Sequence, residues 1–173
     1  MTAEQLQAKI RDVPDFPEPG IVFKDIMPLL ADPEALRSAV DLLAEWARPR
    51  KPDVILGAEA RGFILGAALA YELDCGFVAA RRPGKLPWRT ISATYALEYG
   101  ENSLELHADA IEDGQRVLVH DDVLATGGTA RAIADLAEQL GGEVVGVEFV
   151  IELGFLNGRE KLDGYDVNAL ITY

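Results

Sequence analysis

The amino-acid sequence predicts an α/β fold: a mostly parallel central sheet with helices on both faces. Two strand–helix–strand runs carry this reading. In the first, Asp53–Gly57 is an apolar run, a helix follows from about Arg61 to Leu73, and Gly76–Ala80 is the next strand. In the second, the strand Arg116–His120 leads to a helix over Thr129–Leu140, stopped by Gly141 and Gly142, and then to a strand over Val144–Ile151. Short unbroken apolar runs suit strands covered on both faces, and parallel neighbours need a long crossover, here a right-handed helical one. The third observation is the lack of any linker, low-complexity segment or fixed-period repeat, so residues 1–173 are read as one domain.

Along the chain, Leu6, Ile10 and Val13 fall at i, i+4 and i+7, which predicts a short amphipathic helix ahead of the proline-rich FPEPG at 16–20. Asp32 suits an N-cap and Pro33 the first helical position. Leu36, Val40, Leu43 and Ala47 then line one face, and Pro49 and Pro52 end the helix. Residues 81–104 mix proline, glycine and polar residues with weak periodicity, and read as a long functional loop or a mobile hairpin.

Composition narrows the partners. Hydrophobic residues make up 49% and charged residues 26%, as in a globular protein, and the formal net charge of −13 argues against a general nucleic-acid or anionic-membrane surface. An anionic ligand must therefore meet cations gathered locally. Arg61, Arg81, Arg82, Lys85 and Arg89 supply such a group from two segments. The single Cys75 excludes an intramolecular disulfide and reads as a small core residue. The start MTAEQLQAKIRDV lacks the charged and apolar regions of a leader, and no segment approaches a membrane span, so a cytoplasmic location is expected.

The most informative stretch is VLVHDDVLATGGTA at 117–130. It crosses the carboxyl end of a strand, where open parallel sheets bind their ligands. Gly127 and Gly128 permit close backbone approach. Thr126, Thr129 and successive N–H groups can cradle a phosphate at the following helix N-terminus. Asp121 and Asp122 would repel a phosphate, but carboxylates accept from a sugar diol or attract a divalent cation. Together these features indicate a ribose 5-phosphate site. Adjacent strand residues point to opposite faces, so both acids reach one ligand only where the strand has begun to turn. No G-x-x-x-x-G-K-[ST] loop and no G-x-G-x-x-G after a strand is present.

The apolar strand, two acids, two apolar residues and A-T-G-G-T resemble the phosphoribosyl-diphosphate motif of the type I phosphoribosyltransferases. FPEPGIVFKDI at 16–26, GAEARGFILG at 57–66, TYALEYG at 94–100 and LNGREKL at 156–162 extend the resemblance along nearly the whole chain, and narrow it to the members that use adenine. The main departure is His120, where the family usually has an apolar strand residue. Its ring reads as a strand or interface residue.

The resemblance implies the family fold, with a small N-terminal hood over 1–30 and a flexible active-site loop over 81–104. It also implies transfer of the phosphoribosyl group from magnesium-bound phosphoribosyl diphosphate to adenine, giving AMP and pyrophosphate in a homodimeric enzyme. By the same resemblance, Asp121 and Asp122 face the ribose hydroxyls or the hydration shell of Mg2+, which is held mainly through substrate and water. Ala125, Thr126, Gly127, Gly128 and Thr129 hold the 5-phosphate. Arg61, Arg81 and Lys85 meet the pyrophosphate. Glu98, with its loop partner Tyr99, manages the proton of the reacting purine. Phe23 and Leu156 sandwich the base while Val22 backbone groups read its edge. Lys24 keeps the charge of an arginine also found there in the family. Two rivals stand beside this reading: transfer to another purine, and a ligand-sensing regulator that binds DNA. The acidic charge and short N-terminus disfavour the second.

Overall fold

The computed structural model describes residues 1–96 and 101–173. A five-stranded, all-parallel sheet forms the centre, built from β3 (Val54–Ala58), β4 (Gly76–Ala80), β7 (Arg116–Leu124), β8 (Glu143–Glu152) and β9 (Val167–Thr172). Its spatial order is β4-β3-β7-β8-β9. Helix α4 (Gly62–Leu73) joins β3 to β4, and α5 (Gly128–Gln139) joins β7 to β8. Both crossover units thus stand where the apolar runs placed them, with β7 longer at its carboxyl end.

Two cores sit on the two faces. On one, Ile55, Leu118, Val150 and Ile171 from the sheet pack with Leu65 and Leu69 of α4 and with α3 (Pro33–Ala47). On the other, Val117, Val119, Val147 and Phe149 pack with Ile133 and Leu136 of α5 and with Leu104 and Leu106. The last two belong to the hairpin of β5 (Thr90–Ala96) and β6 (Glu101–His107), so the 81–104 segment is a paired antiparallel ribbon at its far end. Glu98 and Tyr99 lie outside the described residues.

Helix α3 is capped by Asp32, whose side chain accepts from the N–H groups of Glu34 and Ala35 at 3.0 and 3.1 Å. Its buried stripe is Ala35, Ala39, Leu43, Ala44 and Ala47, with Leu36 and Val40 half-buried beside it. The face is rotated from the expected one because small alanines let the helix lie close to its neighbours, and the larger residues fit only at the edge.

The N-terminal expectation needs correction. The helix α1 spans only Ala3–Gln7, and Val13 lies on β1 (Arg11–Pro14), which pairs antiparallel with β2 (Val22–Asp25). Asp15 at φ +56° and Gly20 at φ +89° turn the chain between them, and the Asp15 side chain accepts from the Gly20 N–H at 2.7 Å. Long-range pairing here overrides a three-residue periodicity. The short α2 (Met27–Ala31) and the edge strand β9 carry too little pattern to be read from sequence.

Candidate active site

The chain runs from β3 outward to β4 on one side and from β7 to β8 on the other, so the strand order reverses between β3 and β7. Ligands of open parallel sheets bind at such a point, beyond the carboxyl ends. A cleft of about 270 Å³ lies there, lined by Glu59, Arg61, Arg82, Tyr95, Asp121, Asp122 and Thr129 among others.

The two acids do face one cleft, and the core contacts give the reason. Val117, Val119 and Leu124 belong to one core, whereas Leu118 and Val123 pack on the other, so the alternation of β7 slips by one residue between 119 and 123. Asp121 and Asp122 occupy that slip. The Asp121 side chain accepts from the Asp122 N–H at 2.8 Å, and Asp122, 4% exposed, pairs with the Arg61 Nε. Burial, with the Asp122 charge second, pushes the Asp121 carboxyl well above the usual carboxylate range. For Arg61, burial opposes the charge but the Asp122 carboxylate outweighs it, holding the guanidinium firmly protonated.

Beyond the acids, the chain turns through Ala125, Thr126 and Gly127 into α5, lining a small hollow of about 60 Å³ with Gly128 and Thr129. Gly127 stands at φ +79° as the helix N-cap, and no side chain among the described residues caps the first-turn N–H groups. A Cβ on Gly127 would lie 2.3 Å from the Gly158 carbonyl oxygen, and one on Gly158 would lie 2.2 Å from that of Ala125. Glycine at both positions is what lets the LNGREKL turn pack against this loop. The Thr129 hydroxyl donates to the Tyr95 hydroxyl at 3.0 Å, linking the loop to the β5–β6 hairpin.

The cations arrange themselves unevenly. Arg61 opens α4 beside the acids, and Arg82 lines the cleft. Arg81 instead turns its guanidinium to the Glu59 carboxylate, with Nε and Nη2 each at 3.2 Å from an oxygen. Lys85 is exposed, and its carbonyl accepts from Arg81 Nη1 at 3.2 Å. Among the base candidates, Phe23 lies under the Arg61 guanidinium, 5.2 Å from ring centroid to Cζ, and edge-on to Phe16 at 5.2 Å. Val22 is exposed on β2. Lys24 is engaged elsewhere, with Asp12 at 2.7 Å and over the Tyr173 ring at 3.9 Å. Leu156, 37% exposed, sits on the turn Gly154–Leu156, whose Gly154 N–H donates to the Tyr173 carbonyl at 3.0 Å. Tyr173 thus touches both the Lys24 side chain and the turn that carries Leu156. Arg82, one of the cations gathered in the sequence to meet an anionic ligand, does line the cleft, and Glu59, Tyr95, Asn102 and Ser103 join it there without a local sequence signal for that position. The basic run ARRPGK flags Arg82, whereas the hairpin residues arrive only through long-range pairing.

The phosphoribosyl transferase domain model matches residues 29–169. The chain is 57% identical over 173 residues, covering 100% of both, to an adenine phosphoribosyltransferase of Desulfitobacterium hafniense, strain Y51. Among solved structures, an adenine phosphoribosyltransferase from Thermoanaerobacter pseudethanolicus superposes with a TM-score of 0.97 at 53% identity, covering 99% of this chain and 100% of that one. The Saccharomyces cerevisiae adenine phosphoribosyltransferase, complexed with an imino-altritol bisphosphate and adenine, superposes with a TM-score of 0.91 at 41% identity, covering 97% of each.

Proposed function

The chain belongs to the phosphoribosyltransferase family, in its adenine-using branch of purine salvage, and from that premise we propose how this site works. The enzyme transfers the 5-phosphoribosyl group of phosphoribosyl diphosphate to adenine, giving AMP and pyrophosphate. The observation that carries the residue roles is the switch-point cleft, where an acidic pair meets a helix N-terminus hinged on glycine.

The 5-phosphate sits over Ala125–Thr129, where first-turn N–H groups of α5 and the threonine hydroxyls donate to it. Asp121 and Asp122 accept from the ribose hydroxyls and favour the positive character that builds on the sugar as the anomeric bond breaks. Arg61 and the 81–85 segment meet the departing pyrophosphate. No cluster of three or more His, Cys, Asp or Glu forms a metal cage among the described residues, and the side-by-side acids suit an ion carried in by diphosphate and water. When bound, Mg2+ offsets the diphosphate charge. Turnover is therefore expected to stop in excess chelator and return with added magnesium.

At the base, Phe23 and Leu156 provide apolar faces. The Val22 carbonyl is taken as the acceptor for the adenine amino group, on an exposed residue that leads β2 into Phe23. Hypoxanthine would set oxygen against oxygen there, so its kcat/KM is expected to be lower by at least about 100-fold. By the family match Glu98 takes up the proton that adenine must lose, with Tyr99 as its partner, and Glu98→Gln should lower turnover. A cytoplasmic homodimer belongs to the same reading. The strongly exposed Tyr71 and the half-exposed Ile64, one face of α4, support a covered surface, and light scattering checks it.

The deciding experiment incubates the protein with phosphoribosyl diphosphate, magnesium and each nucleobase in turn. AMP from adenine alone is the expected result. IMP or GMP formed at comparable rates would overturn the assignment of the base site.

A further inference from the structure

The segment after β4 is pinned from two sides. Toward β3, the largely buried Glu59 carboxylate accepts both Arg81 contacts and also the Arg82 backbone N–H at 3.0 Å. Toward the hairpin, the Arg81 N–H donates to the Glu105 carbonyl at 3.0 Å, the Glu105 N–H returns to the Arg81 carbonyl at 2.7 Å, and the Gly84 N–H donates to the Glu105 carboxylate at 3.1 Å. Arg81 also spends Nη1 on the Lys85 carbonyl. Its Nε, Nη1 and Nη2 are thus all engaged within the segment and its floor.

A planar guanidinium gripped by a carboxylate in two places is held in orientation as well as in position. The grip neutralises an acid that would otherwise repel a diphosphate, and it leaves the next side chain, Arg82, at the cleft wall with Asp121 and Asp122. The Arg81 guanidinium also holds the Glu59 carboxyl below its usual range, as a paired carboxylate should be.

Resting on the transferase reading above, we propose that Glu59 is a positioning residue for the leaving group. By gripping Arg81 it fixes the 81–85 segment so that Arg82, rather than Arg81, presents its guanidinium to pyrophosphate. Arg81 is an anchor on this account and acts only through Glu59. This changes the role that the family resemblance implies for Arg81, and adds Arg82 to the groups that touch substrate.

Steady-state kinetics with adenine and phosphoribosyl diphosphate, alongside calorimetric titration with pyrophosphate, test the proposal. Glu59→Gln keeps the shape and loses the charge. It should raise the KM for phosphoribosyl diphosphate about tenfold, the equivalent of one charge-assisted hydrogen bond, while the KM for adenine stays within about twofold. Arg82→Ala should lower kcat/KM about 100-fold, as loss of a donor to developing charge does. Arg81→Gln should match Glu59→Gln to within about threefold, the margin being its added loss of the Lys85 carbonyl contact, and the double variant should be no worse than about twofold below Arg81→Gln, because both break the Glu59–Arg81 pair. A further tenfold loss from Arg81→Gln in the Glu59→Gln background would show Arg81 touching the diphosphate and overturn the proposal, as would an unaffected Arg82→Ala. If Glu59→Gln does not fold, Arg81→Lys reads the same contact. The anchor role expects it to behave like Arg81→Gln, whereas near-normal kinetics would overturn the proposal, since a lysine cannot make the two-point grip. Failure of the wild-type protein to form AMP would sink the transferase reading instead, and pyrophosphate affinity across the same variants would still decide the role of Glu59.

Discussion

His120 is fully buried on β7, and neither ring nitrogen has a hydrogen-bond partner among the described residues. Burial pulls its pKa from 6.5 to about 4, against the opposing pull of Asp122, so the imidazole is neutral in the fold. The unfolded chain takes up the proton first as pH falls, and stability is lost between pH 6.5 and about 4. Its register neighbour Glu148 behaves in the opposite sense. Burial raises that carboxyl to about 8, so its contribution is present at low pH and fades as pH rises through that range. His120→Leu retains Glu148 and removes only the histidine. Its stability relative to wild type should therefore grow by about 2 kcal/mol between about pH 7 and 5, measured by urea unfolding at each pH. Asp121 shows the reverse balance of stability and function. Its carboxyl is raised by burial and by the Asp122 charge, so Asp121→Asn should unfold at a temperature no lower than wild type at about pH 7 while kcat/KM falls at least about tenfold.

At the scale of elements, the proposed phosphate loop at 125–129 depends on backbone approach more than on side chains. Two strands, a helix start and the 158–162 turn meet within a space that admits no Cβ at Gly127 or Gly158. Gly127→Ala adds a positive φ to the clash. It should cost about 1–3 kcal/mol of stability and raise the KM for phosphoribosyl diphosphate more than that for adenine. Thermal unfolding and the two KM values check this together. The hairpin β5–β6 meets the same loop through Tyr95 and Thr129. Its second strand also covers one core with Leu104 and Leu106, while Ile91 and Ala93 of the first pack against that core, which ties a wall of the cleft to the stability of the sheet.

For the whole molecule, the formal charge of −13 and an anionic substrate are reconciled by geometry: Arg61 and Arg82 line the one cleft at the reversal of strand order. Both cores share a single sheet, so the chain is expected to unfold in one cooperative transition. A ligand that binds only the folded chain stabilises all of it. AMP at about 100 times its Kd should add about 2.7 kcal/mol, roughly 5–10 °C for a chain of this size. IMP at the same concentration should give a smaller shift, and equal shifts in differential scanning fluorimetry would remove base discrimination from the binding step.

The sequence by itself determined the two βαβ units, the α3 cap at Asp32 and the glycine turn from β7 into α5, because each rests on local rules: apolar runs, caps and glycine turns within a dozen residues. Asp121, Asp122 and Ala125–Thr129 were legible for the same reason, being contiguous at a strand end. Only tertiary structure decided that the two acids share one cleft, since that depends on a slip in β7 imposed by packing on both faces. It also decided that Val13 belongs to a ribbon with Phe23 rather than to a helix, and that Arg81 faces Glu59 while Arg82 faces the cleft. Those outcomes turn on partners between 10 and 61 residues away, and contacts of that span leave no periodicity in the chain that makes them.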